Sequence, residues 1–203
     1  FQPSTRIARI EASAQGWQLY NDGESLLGTW QLVVIAVPAP QALPLIGLQQ
    51  EWLEQIRTVT MEPCWVAAIQ TDQELPWLKD VTFFQHPDIH RVTHNSAKSG
   101  RQNENVYLVQ ATRDWSVSHL EQAPDNISRE LQRSFHSLFP SMIESELLFA
   151  HRWRYALTDI PLGQPYLWDA QLKLGVCGDW CLGRKVEDAW QSGVQLAGKI
   201  LQT

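Results

Sequence analysis

The chain has 203 residues, 44% of them apolar and 19% charged, with a formal net charge of -6. That is long enough to bury one sizeable core or two small ones, and it has no basic run suited to neutralising nucleic-acid phosphates. No apolar stretch reaches about eighteen residues, so no membrane span is expected. Three cysteines, Cys64, Cys177 and Cys181, are too few and too scattered for a disulfide framework. They are expected to be reduced, in a cytoplasmic protein.

The first predicted strands are residues 5–10, 16–20 and 31–37, punctuated by Gly16 and by Asn21-Asp22-Gly23. The third is apolar without alternation, the pattern of a strand covered on both faces. Pro38-Ala39-Pro40 stops it, and residues 41–57 read as mainly helical. Further strands are predicted at 64–69, 81–84, 90–94 and 106–112. A helix follows from about 125 to 138, with Ile127, Leu131, Phe135 and Leu138 as its apolar stripe and Phe139-Pro140 as its stop. A strand over 147–157 closes this region. The last elements are a short strand ending in Gly178-Asp179 and a helix over about 185–201. In that helix Val186, Trp190, Gly193, Ala197 and Ile200 share one side.

The division implied is discontinuous. Residues 1–57 and 172–203 form one lobe, and residues 58–171 form a second, substrate-binding lobe on a mixed or antiparallel sheet. The fold class is α+β.

Two segments could carry chemistry. The strand–turn–helix at the C-terminal end aims a helix N-terminus and the Asp179 carboxylate at one point, which suits a polar ligand with a planar or phosphate-like edge. The other reading of Asp179 is a residue that only organises the turn. The second segment is Phe149-Ala150-His151-Arg152-Trp153-Arg154-Tyr155, where period two gathers Phe149, His151, Trp153 and Tyr155 on one face. That face can wall a pocket for a flat ligand or pack under a helix. Arg152 and Arg154 can hold an anionic substrate or be paired at the surface. His86, His90 and His94 are four apart, but Pro87 breaks a regular helix there and no acid or cysteine completes a set, so no metal site is expected. No Gly-x-Ser-x-Gly elbow is present for esterase-type chemistry.

Gly178-Asp179-Trp180-Cys181-Leu182-Gly183, with Val186-Glu187 and Ala189-Trp190-x-Ser192-Gly193 after it, resembles the renalase-like flavin-dependent oxidoreductases, a branch near the flavin amine oxidases. Gly16-Trp17-x-Leu19, residues 33–37 with Pro38-Ala39-Pro40-Gln41, Glu62-Pro63-Cys64-Trp65, Asn95-Ser96-Ala97-Lys98-Ser99-Gly100-Arg101 and His151-Arg152-Trp153-Arg154-Tyr155-Ala156 are similar to family segments in the same order. The resemblance implies a two-lobed protein that binds FAD non-covalently. It places Val37, Gly178, Asp179, Arg184, Lys185 and Val186 at the cofactor and makes His151, Trp153 and Tyr155 candidates for the substrate pocket. Catalytic residues are not assigned by it.

The sequence departs from the family in two ways. No Gly-x-Gly-x-x-Gly stands in these residues, and Arg184, Lys185 and Asp188 replace common glycine, arginine and glycine. The chain begins at Phe1, so the expectation is the C-terminal portion of a larger enzyme, with a partial Rossmann-like FAD lobe and weak or absent FAD binding. Self-association is expected through that incomplete lobe. The implied activity is hydride transfer from a small organic donor, a reduced nicotinamide or an amine-like molecule, to FAD, with oxygen as final acceptor. The competing reading is a non-enzymatic binding module that has lost its cofactor.

Overall fold

The computed structural model describes residues 2–47, 49–101, 104–139 and 143–202. Pro140, half of the expected helix stop, lies outside the described residues. In chain order the elements are β1 (Ile7–Ser13), β2 (Gly16–Asn21), β3 (Leu26–Trp30), β4 (Val33–Ile35), α1 (Ala39–Ala42), α2 (Gln50–Arg57), β5 (Thr60–Thr71), β6 (Val81–Phe83), β7 (Ile89–His94) and β8 (Val106–Ala111). They continue with α3 (Arg113–Ser118), α4 (Pro124–His136), β9 (Ser145–Ile160), β10 (Leu167–Asp169), β11 (Leu174–Val176), α5 (Asp179–Leu182) and α6 (Val186–Ile200). The chain divides into two compact units, Phe1–Met61 with Leu157–Thr203, and Glu62–Ala156. Residues 157–171, read from the sequence as part of the second lobe, belong to the first unit.

The first unit holds two three-stranded sheets, ordered β1-β2-β3 and β10-β11-β4. Gly16 sits at φ +125, and a Cβ there would meet the Trp30 carbonyl oxygen at 2.3 Å, so glycine is required at this turn. The next turn is closed by Asn21, whose side-chain oxygen accepts from the N–H groups of Gly23 (3.0 Å) and Ser25 (2.9 Å). Strand β4 pairs in parallel with β11, whereas β1–β2, β2–β3 and β10–β11 are antiparallel.

This arrangement corrects three expectations. The run 31–37 is not one strand covered on both faces. The chain changes sheets between β3 and β4, β4 keeps only three residues at a sheet edge, and Val34 is 40% exposed while Ile35 is 4% exposed. The helix expected over 41–57 is divided: α1 passes into a 3-10 turn at Leu43–Leu45, and α2 starts at Gln50. Pro44 and Gly47 in that stretch are poor helix-interior residues.

The third correction concerns the partial Rossmann-like lobe. The first unit closes round a core of its own, built from Trp17, Ile35, Ile46, Trp52, Ile56, Leu174, Val176 and Trp180 among others. Both lobes are therefore present in this chain. The expectation of an incomplete lobe rests on the absent Gly-x-Gly-x-x-Gly and the start at Phe1, neither of which bears on whether the lobe has a core; Trp17, Trp52 and Trp180 supply large apolar surface to that core. At the sheet edge β4 is three residues long, and few unpaired backbone groups are presented there.

The second unit is a five-stranded sheet ordered β6-β7-β8-β5-β9, with antiparallel pairing at β6–β7, β7–β8 and β5–β8. Helix α4 starts at Pro124, where the missing N–H costs nothing, and buries Ile127, Leu131 and Phe135 at 0% exposure. That stripe packs with Trp65, Ala67, Ile69, Val92, Tyr107 and Val109 of the sheet and with Trp115 of α3.

Candidate functional site

In the first unit, the parallel strands β4 and β11 deliver two chain segments to the same edge. The carboxyl ends of parallel strands are where open α/β sheets place ligands. The Cys177 N–H donates to the Ile35 carbonyl at 3.0 Å, extending the pairing by one step. A Cβ on the extended Gly178 would meet Trp180 Nε1 at 2.6 Å, so glycine is required for the close approach of the indole. Trp180 Nε1 in turn donates to the Val37 carbonyl at 2.9 Å. Val37, Gly178 and Asp179 are thereby held together. The Asp179 carboxylate, half-buried, accepts from the Trp180 N–H through Oδ1 at 2.9 Å.

Ser192, not singled out as a site residue in the sequence, completes this arrangement. It is fully buried on α6, accepts from the Gly178 N–H at 3.0 Å and donates to the Pro165 carbonyl at 2.6 Å. One hydroxyl thus ties helix, turn and preceding loop. The signal was present in the small pair Ser192-Gly193, but small residues on a helix indicate close packing without naming the bond.

The start of α6 is exposed. Val186 is 90% exposed, and Arg184 and Lys185 are exposed beside it. Asp188 accepts from the Lys185 N–H through Oδ2 at 2.8 Å, and a Cβ on Gly183 would meet that oxygen at 2.5 Å. The Asp188 carboxylate therefore folds back onto its own helix start. The amides of Val186 and Glu187, the first two of the helix, have no protein acceptor among the described residues. The buried face of α6 is Ser192 and Leu196, not the side with Val186 and with Trp190, which is 64% exposed. Leu196 packs against Gly175 of β11, whose missing side chain makes room.

All three cysteines are free. Burial pushes the Cys64 thiol up to about 11 and the Cys181 thiol up to about 12, so neither is poised as a nucleophile.

In the second unit, β9 separates by period two. Ala150 packs against the helix-covered core, and the Arg152 guanidinium lies 5.7 Å from the centroid of the Trp65 ring. The alternate positions Phe149 and Trp153 are 55% and 56% exposed, and His151 is exposed between them. The His151 and Trp153 rings meet edge to face at 4.7 Å; Tyr155 is half-buried. Strand register extends this second face across the sheet: Val66 lies opposite Gln110, Gln110 opposite Arg91, and Arg91 opposite Phe83. The Arg91 Nε–H donates to the Gln110 side-chain oxygen.

Arg152 and Arg154 are paired. Both reach Glu121, Arg154 through two bonds of 2.7 and 2.9 Å, and Arg152 also donates to the Leu120 carbonyl. Of the spaced histidines, His86 accepts from the N–H groups of Asp88 and Ile89, His90 edges onto Phe83, and buried His94 stacks on Tyr107 at 4.6 Å. Among the described residues no group of three metal-ligating side chains forms. No helix there is long and apolar enough to cross a membrane.

Comparison with solved structures shows the same fold at low identity. An oxidoreductase from Methanosarcina mazei superposes with a TM-score of 0.66 at 14% identity, over 96% of this chain and 49% of its own. A protein from Exiguobacterium sp. 255-15 gives 0.60 at 14% identity, over 98% and 47%. A protein from Pyrococcus furiosus gives 0.60 at 14%, over 97% and 46%. The chain thus spans about half the length of these structures. The family match corrects the renalase-like, C-terminal-portion assignment, because it is to the broader family and runs through both units: over residues 1–201 the chain matches, and belongs to, the flavin containing amine oxidoreductases.

Proposed function

We propose that this chain takes part in hydride transfer from a small organic donor, a reduced nicotinamide or an amine-like molecule, to FAD. The observation that carries the reading is the edge where β4 and β11 end. Trp180 bonds the Val37 carbonyl and the Asp179 carboxylate there, beside Gly178, and α6 follows with two amides at its start that have no protein acceptor among the described residues. These groups fit a flavin. The second oxygen of Asp179 can accept from a ribityl hydroxyl. The Val186 and Glu187 amides can donate to an electron-rich ring edge, with Arg184 and Lys185 adding positive charge. Bound flavin would supply the hydride acceptor, with oxygen as the final oxidant. Flat donors would lie against His151, Trp153 and Tyr155, whose face excludes water from one side of the molecule.

The affinity expected for FAD is modest, in the range of about 10 μM to 1 mM. Asp179 and one helix end make few contacts, and these residues contain no glycine-rich pyrophosphate cradle. Titration of the chain into FAD, followed by flavin fluorescence, should give saturable quenching. Asp179→Ala should weaken it by roughly fivefold or more, the loss of one charge-assisted bond. Linear, non-saturating quenching that is unchanged in Asp179→Ala would sink the flavin reading and favour a cofactor-free binding module.

A further inference from the structure

We propose that Arg91 and Gln110 form a carboxylate-binding subsite on the aromatic face of the second unit, and that the ligand is a flat organic acid. This deepens the oxidoreductase reading by naming the donor class, and it rests on that reading only for calling the ligand a donor.

The geometry points to Arg91 for three reasons. First, its charge is not neutralised. Arg6, Arg9, Arg113, Arg152 and Arg154 each have a carboxylate partner within ion-pair distance; Arg57, Arg91, Arg101, Arg129 and Arg133 show none among the described residues, and of these only Arg91 is half-buried, the others being exposed. A half-buried guanidinium without an anion is costly to keep unless a ligand completes it. Second, its plane is held. The bond from Nε–H to the Gln110 side chain stops the guanidinium from turning, and leaves the two terminal nitrogens to act together as a fork. A fixed fork matches the two oxygens of a carboxylate and loses little entropy on binding.

Third, its surroundings suit a flat molecule. Phe83, 63% exposed, stands directly opposite Arg91 on β6. On the other side the row continues through Gln110 to Val66, a short apolar side chain that is only 9% exposed. Cys64, two positions from Val66, feels the positive charge of Arg91. Strand β9 is the neighbour of β5 on that side. Its residues on this face, Phe149, His151 and Trp153, present ring surface. A carboxylate on the fork would leave the body of the ligand over apolar and aromatic side chains.

Benzoate is the probe, with benzamide as its neutral isostere and inorganic phosphate as a non-planar anion. Binding to the purified chain is read by tryptophan fluorescence and calorimetry. Benzoate should bind saturably, benzamide and phosphate at least about tenfold more weakly. Arg91→Gln should weaken benzoate by about tenfold or more. Arg91→Lys, which keeps the charge and loses the fork, should still weaken it by roughly threefold or more. Circular dichroism checks that each variant is folded, and the lysine variant decides if the glutamine variant is not. Benzoate affinity unchanged in Arg91→Lys, benzamide binding equal to benzoate, phosphate competing at equal concentration, or no saturable benzoate binding would each overturn the subsite. FAD titration of Arg91→Lys keeps the two readings apart. Asp179-dependent flavin binding without benzoate binding removes the subsite alone, and the reverse removes the flavin reading alone.

Discussion

On the helix-covered face of the five-stranded sheet, Trp65 and Tyr107 are fully buried beneath Phe135 of α4, and Arg152 and Arg154 at its margin share Glu121. On the other face Phe83, Phe149 and Trp153 are more than half exposed, and Arg91 is bonded to a neutral glutamine. The residue types are the same, but their partners differ. Where a ring finds other rings and an arginine finds an acid, the groups stabilise the unit. Where a ring faces water and an arginine keeps its charge, the stabilisation is left for a ligand to complete.

The comparison breaks most readily at the two aromatic positions. Phe135→Ala should lower the unfolding free energy by about 3–5 kcal/mol, because it empties a site with no exposed surface. Trp153→Ala should cost less than about 1 kcal/mol despite removing a larger ring. Chemical denaturation monitored by circular dichroism measures both. A similar loss in the two variants would mean that the second face is also structural.

A smaller effect comes from Cys64, on the same face of β5 as Val66. Burial raises its thiol from 9.0 to about 11, with Arg91 opposing the rise. The folded state then binds the proton more tightly than the unfolded chain. Stability from this group is fully present below the unfolded value and is lost as pH rises through the folded one. Denaturation midpoints should therefore fall between pH 9 and 11, and fall less in Cys64→Ala. Identical slopes would mean that this part of the face is wet.

The smallest effect belongs to Glu121. The Arg154 guanidinium bonded to it holds its carboxyl below the usual range. That contribution is present above the unfolded carboxylate value, about 4.3, and is lost as pH falls through the folded one. The pair is exposed, so Glu121→Gln should move the denaturation midpoint less than either change above, and salt should erase the difference. A large, salt-resistant loss would show that Glu121 anchors the arginines structurally.

Much of the architecture was legible because it rests on local periodicity. The stripe Ile127, Leu131, Phe135 identifies α4, and the alternation through Phe149, His151, Trp153 assigns the faces of β9, since helix and strand periods follow from backbone geometry alone. The turn around Gly178-Asp179 was also readable, because a glycine before an acid and a helix has few alternatives. Other features depend on partners distant in sequence, which no local window contains. The switch of sheets between β3 and β4 is set by pairing with β11, more than a hundred residues later. The buried side of α6 is chosen by the glycine at 175, and the Ser192 bonds join positions 165, 178 and 192. Arg91 looked like any other surface arginine until strand register put Gln110 and Phe83 on either side of it, with no acid in ion-pair reach among the described residues. The sequence by itself determined which segments are helix and strand and the nature of the C-terminal turn, because short-range sterics and periodic burial decide those. Which face of each element is covered, which arginine keeps its charge and which hydroxyl locks the turn were decided only by tertiary structure, because each depends on pairings between residues far apart along the chain.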